Sequence, residues 1–332
     1  MRPDAGTRIG LPSRASARPW ARIILLLVAL GVRADVRAQA NRDLESEKAE
    51  YGFRVAVDEV SLTFHAADLN GHAVDDLGIE ELKLLDNGNP PQRILVLFAL
   101  KNRALRAGIF MDTSESMWGH VGRDRAIADA FAQRHLREGE DQSLLMEFAY
   151  VSAIAQTWTK GKDRMAAAIS TVAAGRQNIL PGTALFDAVF RACYHEFERP
   201  VRDDAGNFIL LFSDGNDNAS HTSLQEAAST CQRANTTIYA FRAASEAGAS
   251  TGEGALAELT RETGGRVFYG DESRLQIESD LQAIEAEQRN QYLLVYKPAK
   301  LQHDGAFHRI VLLGPQRVAD LEVRSGYYAP RQ

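Results

Sequence analysis

Past residue 40, the hydrophobic and polar positions divide the chain into three stretches with different periods. Up to about Leu105 the period is two: Phe53, Val55 and Val57, then Val60, Leu62, Phe64 and Ala66, alternate with polar residues, as in half-buried strands. Turns are predicted at Leu69-Asn70-Gly71-His72 and Asp86-Asn87-Gly88-Asn89-Pro90, which carry the residues that turns demand. Residues 93–100 predict another strand. From about Arg106 to Arg289, short apolar runs at 107–111, 143–150, 208–212, 237–241 and 266–269 alternate with segments of helical period. One helical face carries Ile127, Ala130, Phe131 and Arg134, and a second carries Leu185, Val189 and Ala192. Leu281, Ile284 and Glu285 lie on a longer charged helix, and Gly264-Gly265 supplies a helix stop. The last stretch returns to strands at 291–296, 307–313 and 321–328.

Continuous apolar runs separated by helices predict a parallel sheet buried on both faces. The expected fold class is therefore α/β: a doubly wound, mostly parallel sheet flanked by helices over residues 105–290. The two β segments, 41–104 and 291–332, flank this insertion and are expected to combine into one small β-sandwich-like module.

Residues 1–40 are set apart by composition. Arg2, Arg8, Arg14, Arg18 and Arg22 precede the apolar run from Ile23 to Val32, and Ala38-Gln39-Ala40 follows. This is the pattern of a secretory signal peptide. The run is too short for the roughly 17–25 residues that span a bilayer, so cleavage near Ala40 is expected rather than retention as an anchor. Cleavage removes seven Arg and two Asp, taking the net charge from −6 to −11. The remaining chain, exported to the periplasm or beyond, is distinctly acidic and lacks the basic footprint of a nucleic-acid binder. In an oxidising compartment Cys193 and Cys231 either pair or remain two buried thiols; their spacing in sequence leaves both open.

The chemistry gathers after the central strands. The strand at 107–111 runs into Asp112-Thr113-Ser114-Glu115-Ser116, a D-x-S-x-S pattern. Thr183 stands in Pro181-Gly182-Thr183, and Asp214 follows the strand at 208–212 in Asp214-Gly215-Asn216-Asp217. Ligands of open α/β sheets bind beyond the carboxyl ends of the strands, where these residues converge. Asp112, Ser114, Ser116, Thr183 and Asp214 offer two carboxylates and three hydroxyls, with no sulfur or imidazole, and such donors select a hard cation. Mg²⁺ is the first expectation, with Mn²⁺ or Ca²⁺ as alternatives.

This ordered set resembles the metal-ion-dependent adhesion site of von Willebrand factor A domains, over roughly residues 105–290. The resemblance implies a Rossmann-like fold in which Ser114, Ser116 and Thr183 hold the ion directly or through water. Asp112 and Asp214 would be the anionic partners, and an acidic residue of a protein or surface ligand would complete the shell. Glu115 occupies a position that is often Gly in that family and adds a negative charge. The flanks, including Leu69-Asn70-Gly71-His72, Leu84-Leu85-Asp86-Asn87-Gly88, Asn290-Gln291-Tyr292 and Arg324-Ser325-Gly326-Tyr327-Tyr328, resemble exported bacterial "VWFA-related" proteins common in acidobacteria.

Taken singly, Asp112 and Asp214 read as turn residues, and Ser114 and Thr183 as helix caps. Three loops with this selection at one sheet end favour the metal site. Asp187 and Asp217 read as helix-surface and turn residues, and Trp118 as a rim contact. The sequence lacks H-E-x-x-H and a D-x-D phosphotransferase pair, and an exported metal-dependent binding or adhesion module is expected rather than an enzyme. The alternative is a component of an envelope assembly in which the metal only stabilises the fold.

Overall fold

A computed structural model describes residues 59–175, 180–198, 205–243, 251–300 and 303–329. The expected leader, its cleavage point and the alternating residues at 53–57 lie outside them. In chain order the strands and helices are β1 (Val60–Ala67), β2 (Lys83–Asp86), β3 (Arg93–Leu100), β4 (Leu105–Asp112), α1 (Val121–Arg134), β5 (Gln142–Phe148), β6 (Ser152–Thr159), α2 (Lys162–Ser170) and α3 (Leu185–Ala192). They continue as β7 (Gly206–Ser213), α4 (Leu224–Arg233), β8 (Thr236–Arg242), α5 (Thr251–Thr263), β9 (Val267–Tyr269) and α6 (Arg274–Arg289), then β10 (Gln291–Lys297), β11 (Phe307–Leu313), β12 (Asp320–Val323) and β13 (Gly326–Tyr328).

The expected α/β architecture is present. Six strands form one sheet in the order β6-β5-β4-β7-β8-β9. All neighbours are parallel except the β5–β6 pair. Every residue of β4 is buried, because helices cover both faces. On one face Ile109, Phe208, Leu210, Phe212 and Phe241 pack against Phe131 of α1, Met165 and Ile169 of α2, and Leu281 and Ile284 of α6. Burying each large side chain contributes roughly 1.5–3 kcal/mol, which is what holds the amphipathic helices down. At the end of α5, Gly264 takes φ +87° and the Gly265 N–H donates to the Thr260 carbonyl at 2.9 Å, the glycine stop read from the sequence.

Strand β6 has no counterpart among the sequence-predicted elements. It is an antiparallel edge strand with one side open to solvent, and its Ser-Ala-Ile-Ala-Gln-Thr-Trp-Thr sequence lacks the apolar run that marks the buried strands.

The β elements of the two flanks meet as expected. One sheet has the order β12-β1-β10-β3 and the other β13-β11-β2. Between them Leu62, Phe64, Tyr292, Leu294, Ile310 and Leu312 form a separate core. Strand β1 pairs antiparallel with β10, Leu62 opposite Leu294. Residues 321–328, expected as one strand, are two: β12 belongs to the first sheet and β13 to the second. The chain crosses between sheets at Arg324, whose buried guanidinium donates to the carbonyls of Ser61 and Gln232. That side chain needs acceptors on both sides, which a continuous ladder would not offer. No helix among the described residues is long and apolar enough to cross a membrane.

Cys193, at the end of α3, is bonded to Cys231 of α4, with Cα atoms 4.9 Å apart and a sequence separation of 38. A closed loop of this size contributes roughly 2–4 kcal/mol through the unfolded state. Urea unfolding with and without reductant should show a loss of that size, matched by the Cys193→Ala/Cys231→Ala double variant. An unchanged midpoint would contradict the pairing.

Candidate metal centre

Strands β4 and β7 pair in parallel with Met111 opposite Phe212, so Asp112 and Ser213 end side by side and Asp214 follows at once. From β4 the chain winds outward through β5 to β6, then returns to β7 on its other side and winds out to β9. The strand order therefore reverses between β4 and β7, and a crevice opens beyond their carboxyl ends.

Hydrogen bonds fix the loops there. Asp112 Oδ1 accepts from the Ser114 N–H at 2.9 Å, and Oδ2 accepts from the Ser213 hydroxyl at 2.7 Å. The Ser114 and Ser116 hydroxyl oxygens are 3.2 Å apart. The Gly215 N–H donates to Ser213 Oγ, and Asp214 accepts from the Asn216 N–H and side-chain amide. Thr183 reaches this group through its backbone: its N–H donates to Asn218 Oδ1 at 2.8 Å, and its carbonyl accepts from the N–H groups of Asn218 and Ala219. Thr113 bonds Phe148 and Gly175, and Ala184 bonds Ala149. The β4, β5, Thr183 and Asp214 loops are thus tied into one assembly.

All five sequence-predicted residues stand on this assembly. Asp112 and Asp214 are 1% and 7% exposed, Ser114 and Thr183 are buried, and Ser116 is open to solvent. Three other buried acids have cations: Asp141 pairs with Arg289, Glu287 with Arg266 and Asp124 with Arg123. Neither Asp112 nor Asp214 forms an ion pair among the described residues. Burial pushes the Asp112 carboxyl up to about 6, opposed by hydrogen bonds from Ser114 and Ser213 and reinforced by the nearby charge of Asp214. Two carboxylates in one buried corner are costly unless a cation compensates them.

The donor set fits a hard divalent ion. The Ser114 and Ser116 hydroxyls are near enough to each other to share one cation. The Asp112 oxygens are already engaged by Ser114 and Ser213, which suits a carboxylate that stands behind the hydroxyls and holds them in place. Ser114, Ser116 and Thr183 would hold the ion, backed by Asp112 and Asp214.

Sequence reasoning did not single out Ser213, Asn216 or Asn218. Their signal is weak, since Ser and Asn are ordinary loop residues and only the strand pairing brings Ser213 to Asp112. Asp187 and Asp217 prove to be turn and capping groups: Asp187 accepts from the His221 and Thr222 N–H groups, and Asp217 from the Phe186 N–H and the Ser220 hydroxyl. The donors from Thr222 and His221 hold the Asp187 carboxyl below its usual range despite the opposing cost of burial. Trp118 is 71% exposed beside the serine loop.

No protein-family model matches the chain, and no curated protein matches it. Among solved structures, the conserved hypothetical protein BatB from Bacteroides thetaiotaomicron is similar at 15% identity and a TM-score of 0.46, over 55% of this chain and 97% of that one. A von Willebrand factor type A protein from Catenulispora acidiphila is similar at 12% identity and a TM-score of 0.44, covering 82% and 72%. Proximal thread matrix protein 1 from the mussel byssus, in a form with a zinc-occupied MIDAS motif, is similar at 17% identity and a TM-score of 0.45 over 61% of this chain. The match spans about half of that protein, 49%.

Because the folded-state value of Asp112 is raised from 3.8 to about 6, its contribution to stability is full below about 3.8 and is lost as pH rises through about 6. Metal-free protein should lose roughly 3 kcal/mol from this group across that window. Asp112→Asn should flatten that fall in denaturation curves recorded from pH 4 to 7. Parallel curves for the two proteins would contradict the assignment.

Proposed function

We propose that this protein is a divalent-metal-dependent binding module. Its ion is held by Ser114, Ser116 and Thr183 against Asp112 and Asp214, and the ion engages an acidic group on a protein or surface ligand. The observation that carries this reading is the pair of buried carboxylates without a cation, set beside three hydroxyls where the strand order reverses. Mg²⁺ is the proposed ion, because all the donors are oxygen and only two of them are carboxylates; Mn²⁺ and Ca²⁺ suit the same donors.

The surface around the crevice supports an interface. Among the described residues, the exposed large apolar side chains of the α/β part are Trp118, Val151, Tyr269 and Leu275. All four stand on segments at the carboxyl end of the sheet: the loop after β4, the β5–β6 turn, the end of β9 and the first turn of α6. Apolar side chains gathered around a polar centre are a mark of protein-binding surfaces.

We further propose that the protein works outside the cytoplasm as a periplasmic or secreted chain. The basic-apolar-small pattern of residues 1–40 supports this, and the Cys193–Cys231 bond suits an oxidising compartment.

Calorimetric titration with Mg²⁺, Mn²⁺ and Ca²⁺ should show one ion bound by the native protein and none by Asp112→Ala. Binding by neither would contradict the reading. Ser114→Ala/Ser116→Ala should abolish metal binding while leaving the far-ultraviolet spectrum and melting temperature of the metal-free protein unchanged. Loss of the fold would instead indicate a structural role for these residues.

A further inference from the structure

A second polar centre lies in the β module, apart from the metal corner. Asp86, the last residue of β2, is buried and accepts three hydrogen bonds. His308 Nδ1 stands 2.8 Å from Oδ1, and the Tyr296 and Tyr327 hydroxyls donate to Oδ2 at 2.9 and 2.8 Å. A carboxylate only accepts, so Nδ1 carries the proton and the tautomer of His308 is fixed. With Nδ1 committed to Asp86, Nε2 is the imidazole nitrogen left for an outside partner.

His308 also lines an open cleft of about 190 Å³, together with Asp86, Asn87, Asn89, Ala299 and Lys300. The backbone around it gathers positive charge. Lys297 is opposite Arg93 in the β10–β3 ladder, Lys300 is on the cleft wall, and the Arg309 N–H donates to Asn87 Oδ1. None of these four cations forms an ion pair among the described residues. Elsewhere in this acidic protein most buried or half-buried arginines have carboxylate partners, including Arg123, Arg137, Arg242, Arg266 and Arg289. The negative charge of Asp86 is already taken up by three donors.

We propose that this cleft is an oxyanion-binding site, in which Lys300 and the Nε2 edge of His308, backed by Asp86, receive a carboxylate or phosphate group of a small ligand. The Lys300 ammonium donates to the anion, and the His308 ring edge closes the cleft beside it. Asn87 and Asn89 add amide groups at the mouth. The unpaired Arg93, Lys297 and Arg309 raise the local anion concentration against a net charge of −6. The site is independent of the metal centre, and its test is run without metal.

The full chain is titrated with sodium phosphate and, separately, with sodium acetate, against sodium chloride at matched ionic strength. The His308 ring is followed by ¹H–¹⁵N correlation spectroscopy. A saturable shift of the His308 ring signals in the millimolar range with either anion is expected. Phosphate alone would identify a phosphate ester as the ligand class, acetate alone a carboxylate. Lys300→Ala should weaken binding about three- to fivefold, as for loss of an exposed ion pair, and Lys300→Glu should abolish it. Lys160→Ala should leave it unchanged. These variants leave the buried Asp86 cluster intact, so the test does not depend on whether His308→Gln folds. The proposal is overturned if neither anion gives a saturable shift at His308, or if Lys300→Glu binds as the native protein does.

Discussion

The parallel pairing of β4 with β7 constrains most of what this protein can do. Both strands are covered on both faces, so polar side chains have room only where the strands end. Register then decides which residues meet: with Met111 opposite Phe212, Asp112 reaches the Ser213 hydroxyl. A carboxylate at that buried position is costly and is tolerated through two hydrogen bonds, which also fix the serine loop. The raised affinity of Asp112 for a proton and the fit of a divalent ion are two expressions of the same deficit of positive charge. An ion held by these groups would remove the deficit and present its open side to the rim where Trp118 is exposed.

The β module solves a different problem with similar means. Its strands come from both ends of the described chain, and the two sheets enclose the polar cluster of Asp86, His308, Tyr296 and Tyr327 within an otherwise apolar core. Such a cluster is stable because the carboxylate is fully satisfied. Helix α6 leads directly into β10, and its last turn is anchored twice: Glu287 to Arg266 and Tyr239, and Arg289 to Asp141. Arg324 adds a bridge between β1 and the end of α4.

Much of this was legible in the sequence because burial leaves a one-dimensional trace. The runs at 107–111, 208–212 and 238–241 carry no charged or amide side chain, as a strand covered on both faces requires. Asp112, Ser114, Ser116, Thr183 and Asp214 were readable from their place just past such elements. Strand β6 was not, since an edge strand with one face in water needs neither strict alternation nor a run. The break of 321–328 into β12 and β13 was hidden because the hydrogen bonds of Arg324 lie across the fold. The partnership of Ser213 with Asp112 depends on strand register, which no local pattern encodes. The disulfide was open for the same reason: only the packing of α3 on α4 brings Cys193 to Cys231.

The central claim is that these five residues surround one divalent ion. Its most direct test is a crystal of the protein grown with Mn²⁺, with anomalous scattering recorded near the manganese edge. The account requires a single strong anomalous peak at coordination distance from the hydroxyls of Ser114 and Ser116, with Thr183, Asp112 and Asp214 around it. A peak elsewhere, or none at this corner in fully ordered density, would contradict it.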